Sequence, residues 1–330
     1  MKKTAASVSV WNRLRMNKTI RKTALWFLPA VLLTWACNKQ SVPDINAETS
    51  SLGYVLAHGT NTTIFNSAVV KAGLDSLFSG PAIFTLFVPN DQACTQSGYP
   101  QSVINGFSAD QARQWVLYQT YAGTALTLES FIGKTNQSLV MSDGDSIFIT
   151  GDSNRTYANG NLMLNSEVKA TNGTMLALQY VLLAPTQNLE QIISSDTSLS
   201  FLNEAILLSS PVPDSLTVTL ASGGPFTFLA PVNDAFRNLG FTTPADLSVV
   251  NPDTLRNMVL TSMIPQRLFG YNIPDSATYT SLSDTTLLFI NSGIQESVQT
   301  LGSPFSSNAI TVNIMATNGV LFKIDAVLGY

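Results

Sequence analysis

The 330-residue chain predicts an α+β protein in which one module is used twice. Two recurrences and one pattern carry this. The run Phe84-Thr85-Leu86-Phe87-Val88-Pro89 returns 142 residues later as Phe226-Thr227-Phe228-Leu229-Ala230-Pro231. Ala170-Thr171-Asn172-Gly173 returns 146 residues later as Ala316-Thr317-Asn318-Gly319. Similar offsets at both ends mark a duplicated unit rather than scattered coincidences. In each copy, helical periodicity gathers near the first run and short β-rich runs lead to the last, the segregation expected of α+β architecture.

Before the first module, Lys18, Arg21 and Lys22, the apolar stretch from Ala24 to Leu33, and Thr34-Trp35-Ala36-Cys37 supply the charged, apolar and small-residue parts of an export signal. The apolar stretch is too short for a stable membrane span. Residues 1–15 add nothing to this pattern, so the true start is expected at Met16 and the signal peptide at 1–36. The cleavage region resembles a bacterial lipoprotein box, which implies lipidation of Cys37; an ordinary signal peptide with an incidental cysteine is the competing reading. Residues 37–49 are polar, with Pro43, as suits a tether. Asn38 after the cysteine implies an outer-membrane destination, facing the periplasm or the cell surface.

The first module is expected over 50–185. Ile64, Phe65, Ala68, Val69 and Ala72 recur at helical spacing and stop at Gly73. The strand from Phe84 to Val88 is expected to end at Pro89, which cannot donate to a ladder. Ser108 with Gln111 three residues on reads as a capping box opening a helix. Strands are expected over Ser138–Met141, Ile147–Thr150, Leu162–Leu164 and Met175–Val181. The second module, 187–330, opens the equivalent helix with Asn251-Pro252 and carries Leu255, Met258, Val259, Ser262 and Met263 on one face. Asn172-Gly173 and Asn318-Gly319 are read as the central pairs of tight hairpins.

Composition narrows the function. Seven of the 17 bases and none of the 21 acids precede Cys37, leaving ten bases against 21 acids, net −11. Such a body lacks the footprint that phosphate backbones require, so no nucleic-acid partner is expected. With one histidine and two cysteines, no metal site, cofactor or catalytic triad is expected either. His58 reads as a solvated loop residue, because a ligand or general base needs partners. Asp143-Gly144-Asp145 could offer oxygens to Ca²⁺, but a hairpin turn explains the same residues. Cys94 has no neighbouring cation to activate it and reads as a small buried hydrophobe.

Phe226-Thr227-Phe228-Leu229-Ala230-Pro231-Val232-Asn233-Asp234-Ala235-Phe236 resembles the first motif of the fasciclin-like domain, and Asn318-Gly319-Val320-Leu321-Phe322-Lys323-Ile324-Asp325 its closing motif. Copy one is similar but worn: Asn90-Asp91-Gln92-Ala93-Cys94 replaces the loop, and Gln179 stands where the family has Asp. The resemblance implies two tandem fasciclin-like domains, each a β-strand wedge packed with several helices. The family's adhesive members carry a Tyr-His pair between the motifs; the matching places hold Tyr118-Gln119 and Thr261-Ser262. Tyr118 and Gln119 are therefore only weak binding candidates, and integrin-type recognition does not carry over.

The expected function is a non-catalytic, lipid-anchored surface protein contacting extracellular matrix, polysaccharide or another cell-surface ligand. The alternative is a carrier of an apolar small molecule such as a pigment. Asp-Ser/Thr pairs such as Asp75-Ser76, Asp145-Ser146 and Asp275-Ser276 are similar to the O-glycosylation acceptors of some Gram-negative lipoproteins, with helix caps as the competing explanation.

Overall fold

A computed structural model describes residues 47–209, 215–291 and 296–329. The expected signal peptide, Met16 start and Cys37, and nearly all of the tether, lie outside the described residues.

The first module begins with Leu52–His58 (α1), Thr63–Lys71 (α2) and Asp75–Ser79 (α3), followed by the strand Phe84–Pro89 (β1). Three more helices, Asp91–Gln96 (α4), Gln101–Gly106 (α5) and Ala109–Leu117 (α6), lead into Thr120–Ala122 (β2). The rest of the module is β: Lys134–Val140 (β3), Ser146–Gly151 (β4), Thr156–Ala158 (β5), Asn161–Ala170 (β6) and Gly173–Leu178 (β7). The strands form one seven-stranded sheet in the order β2-β1-β7-β6-β5-β4-β3. β7 runs parallel to β1, Phe84 opposite Gly173 through Pro89 opposite Leu178, and all other pairings are antiparallel.

The second module repeats the plan. Leu189–Ser195 (α7), Ser200–Leu208 (α8) and Leu216–Ser222 (α9) precede Phe226–Pro231 (β8). Asn233–Asn238 (α10) and Pro252–Thr261 (α11) follow, then Met263–Ile264 (β9), Thr278–Thr280 (β10), Thr286–Asn291 (β11), Glu296–Thr300 (β12), Ser307–Ala316 (β13) and Gly319–Ile324 (β14). The sheet order β10-β11-β12-β13-β14-β8-β9 is that of the first sheet read from its other edge.

Each sheet buries two apolar layers. On one side Phe65, Phe78, Leu86, Val88, Cys94 and Val116 join helices to sheet; on the other Phe87, Phe131, Ile147, Ile149, Met163 and Leu176 fill the curl of the strands. β1 alternates between them and is therefore buried at every position. The second module repeats both layers.

Local signals explain most elements. Ser108 caps α6 by accepting from the Gln111 N–H at 3.1 Å while Gln111 returns the bond at 2.8 Å. Asn251 accepts from the Asp253 N–H at 2.8 Å, and Pro252 opens α11.

Four expectations need correction. Pro89 is inside β1, as its last residue, and the chain leaves through Asn90, which caps α4. β6 is ten residues long where three were expected: its ladder with β7 pairs Met163, shifts register, and resumes at Glu167, so the polar Asn165, Ser166, Glu167 and Lys169 hide the rest of the strand from an apolar pattern. His58 ends helix α1 instead of lying in a loop; its ring stacks on Tyr54 at 4.0 Å and its Nδ1 lies 2.9 Å from the Tyr54 carbonyl.

The fourth correction concerns the hairpins. Ala170 pairs with Gly173, so the central turn residues are Thr171-Asn172, and Gly173 already belongs to β7. The glycine answers a different need: its φ is +148°, and a Cβ there would run into the Phe84 carbonyl oxygen. The asparagine is a clamp. Asn172 Oδ1 accepts from the Leu52 N–H at 2.7 Å, and its Nδ2 donates to the Phe78 and Gly80 carbonyls, both at 2.8 Å. Asn318 does the same, accepting from Leu189 at 2.9 Å and donating to Leu220 and Gly223 at 2.8 Å. One side chain thus ties the start of the module, the end of its third helix and the final hairpin.

Candidate functional site

Tyr118, the first of the sequence candidates, caps the C-terminus of α6 and is buried; its hydroxyl donates to the Ser146 carbonyl at 3.3 Å and accepts from Asn159 Nδ2 at 3.1 Å. Burial pushes its pKa up to about 12. Gln119 is also buried. Its amide donates to the Leu182 carbonyl at 2.8 Å and accepts from the Leu182 N–H at 3.2 Å, fastening the C-terminal stretch of the module to the sheet. Thr261 and Ser262, the matching pair, turn their hydroxyls to the carbonyls of Asn257 and Met258. All four side chains spend their polar capacity inside the protein.

Asp143-Gly144-Asp145 forms the turn between β3 and β4: Gly144 has φ +100°, and Asp143 Oδ1 accepts from the Asp145 N–H at 3.2 Å. Among the described residues no group of three acidic, histidine or cysteine side chains is placed to hold a metal ion. Cys94 is fully buried, and desolvation, with Asp91 adding to it, raises its pKa to about 12.

What the sequence reading missed is where the two modules touch. Arg267 lies over the Phe148 ring at 4.4 Å, and Phe148 meets Phe269 at 6.2 Å between centroids. The guanidinium also donates to the Gly319 carbonyl at 2.6 Å, and Asn136 Nδ2 donates to the Arg267 carbonyl at 2.8 Å. Burial lowers the Arg267 pKa to about 10. Asn313 donates from Nδ2 to the Gly160 carbonyl at 3.3 Å and accepts from the Gly270 N–H at 2.8 Å. Beside Gly270 sits Glu296, whose buried Oε2 has no hydrogen-bond partner and whose pKa desolvation pushes up to about 7. No local pattern announces these residues, since the pairs that cross from one module to the other are more than 100 positions apart.

This joint opens a polar cleft of about 660 Å³. Tyr157, from β5, stacks on Tyr271 with centroids 5.9 Å apart and planes 9° from parallel. The neighbouring Tyr157 side chain raises the pKa of Arg155, which stays a cation. Lys134 lies opposite Gly151 across the β3–β4 ladder and lines the same cleft. Asp152 shares it, with Oδ1 accepting from the N–H groups of Asn154 at 2.6 Å and Arg155 at 2.8 Å. Chemically the cleft offers an aromatic face, two cations and amide or hydroxyl groups; it is equipped to hold a polar ligand.

The family model for the fasciclin domain matches this chain twice, over residues 60–184 and 208–330. Among curated proteins, transforming growth factor-beta-induced protein ig-h3 of Sus scrofa is 25% identical over 278 residues, covering 82% of this chain. The Oryctolagus cuniculus protein of the same name matches to the same extent. The chain spans only 38% of the length of either relative. Among solved structures, a FAS1 domain pair from the insect cell adhesion molecule Fasciclin I aligns over 80% of this chain and 95% of its own, with 14% identity and a TM-score of 0.38.

Proposed function

The chain belongs to the fasciclin domain family, and from that premise we propose that it is a surface lipoprotein whose two domains make adhesive contacts with extracellular matrix, polysaccharide or another cell-surface ligand, without catalysis. Fasciclin domains occur in cell-adhesion proteins. The observation that carries the reading is two family domains in tandem, built to one plan. Lipid on Cys37 and the polar tether after it would present that pair at the outer membrane. Two linked domains also raise effective concentration, so that individually weak contacts hold together.

The test is a screen of the purified full-length protein against polysaccharides, matrix proteins and the native cell surface. Retention on one of them well above bare support is expected. Absence of retention, with a visible absorption band on the purified protein, would replace adhesion by carriage of a pigment-like molecule.

A further inference from the structure

We infer that the cleft at the domain joint binds the carboxylate-bearing sugar of an acidic polysaccharide, with Tyr271 as the stacking platform and Lys134 and Arg155 as the carboxylate partners. The inference rests on the adhesive reading above and gives it a place and a ligand class.

The aromatic platform comes first. A sugar ring has apolar C–H faces and a polar rim, and a tyrosine offers a flat apolar body with a wet edge. Tyr271 is 60% exposed although it stacks on Tyr157, which is only 8% exposed. The ring is therefore held from one module while much of it remains open to solvent. An exposed aromatic fixed in this way loses little conformational freedom when a ligand covers it.

Charge selects the class of sugar. The chain from Cys37 onward is strongly acidic, yet this cleft carries Lys134 and Arg155 against the single carboxylate of Asp152. That carboxylate is turned into its own loop by two backbone N–H groups, which lower its pKa. Lys134 forms no ion pair among the described residues. The local excess of cation over acid thus runs against the sign of the whole body, where a neutral sugar would need no such reversal. The cleft volume of about 660 Å³ lies within the range of roughly 300–1,000 Å³ typical of small-ligand sites.

The experiment titrates the full-length protein with a uronic-acid oligosaccharide and with the neutral oligosaccharide of the same linkage, by calorimetry. The acidic oligomer is expected to bind, and to bind at least roughly tenfold more weakly to Tyr271→Ala and to the Lys134→Gln/Arg155→Gln double variant. Tyr271→Phe, which keeps the ring, should retain binding, and unchanged thermal unfolding would show that the variants fold. Raised salt should weaken the acidic oligomer and leave the neutral one unaffected. Equal affinity of wild type and variants, or preference for the neutral oligomer, would overturn the assignment. If wild type and Tyr271→Ala are retained equally by a polysaccharide or matrix surface, this site fails while adhesion stands. If wild type is retained by none of them, adhesion fails as well.

Discussion

Replacing the clamp asparagine of the first module, Asn172→Ala, should be among the most destabilising single changes outside the apolar core. The side chain makes three hydrogen bonds, to the Leu52 N–H and to the Phe78 and Gly80 carbonyls, at 2.7, 2.8 and 2.8 Å. Alanine removes all three and supplies no substitute. Each bond contributes about 1 kcal/mol net, and a buried group left without a partner adds about 1–3 kcal/mol. Leu52 is fully buried, so its N–H cannot turn to water. A loss of about 3–5 kcal/mol follows. Asn172→Asp tests the sign of the geometry: it keeps the acceptor but sets a carboxylate against two carbonyl oxygens, and should be at least as damaging at neutral pH. The assay is urea unfolding followed by tryptophan fluorescence. In any form of the protein beginning after residue 36, Trp115 is the only tryptophan, and it lies in the core of the first module. Asn318→Ala should then leave the Trp115 transition in place and shift a second transition seen by circular dichroism. A change below about 1 kcal/mol for Asn172→Ala would refute the reasoning, because one ordinary hydrogen bond would account for it.

Other perturbations follow from the same geometry. Gly173→Ala should cost more than about 2 kcal/mol in the same urea assay, since φ +148° and the nearby Phe84 carbonyl leave no room for a Cβ; a neutral result would remove the close-approach argument. Glu296 has its folded pKa raised to about 7 from an ordinary 4.5, so its favourable contribution is complete below pH 4.5 and is lost as pH rises through 7. Between those limits wild type should lose about 1–2 kcal/mol relative to Glu296→Gln after discounting for solvent screening, and parallel stability profiles would contradict it. Cys94 should react with a thiol reagent at pH 8 only at the rate of unfolding, because its thiol is buried and its pKa is about 12; rapid labelling of the native protein would show otherwise.

The parts of the fold legible in the sequence are those set by short-range chemistry. The capping box at Ser108 and Gln111, the Asn251-Pro252 helix start and the apolar stripe of α2 each involve residues within a few positions of one another. Duplication was legible because it is a comparison of the chain with itself. The length of β6 was not, because the strand runs on through polar residues and a register shift after Met163 that no apolar alternation marks. Nor was the parallel pairing of β1 with β7, which depends on contacts some 90 residues apart. The Asn-Gly pairs were noticed for the right residues and the wrong reason: the glycine is needed for close approach, and the asparagine acts through its side chain on three distant backbone groups. The cleft was invisible at sequence level. Lys134 and Arg155 are brought near each other by the β3–β4 pairing, and Tyr271 joins them from the second module through its stacking on Tyr157.

Adhesion through the domain pair is tested most directly by attaching the purified full-length protein to lipid vesicles and measuring their retention on surfaces coated with polysaccharide or matrix protein. Vesicles carrying the protein should be held on at least one coating and released when soluble protein competes. Retention no greater than that of bare vesicles on every coating would contradict it.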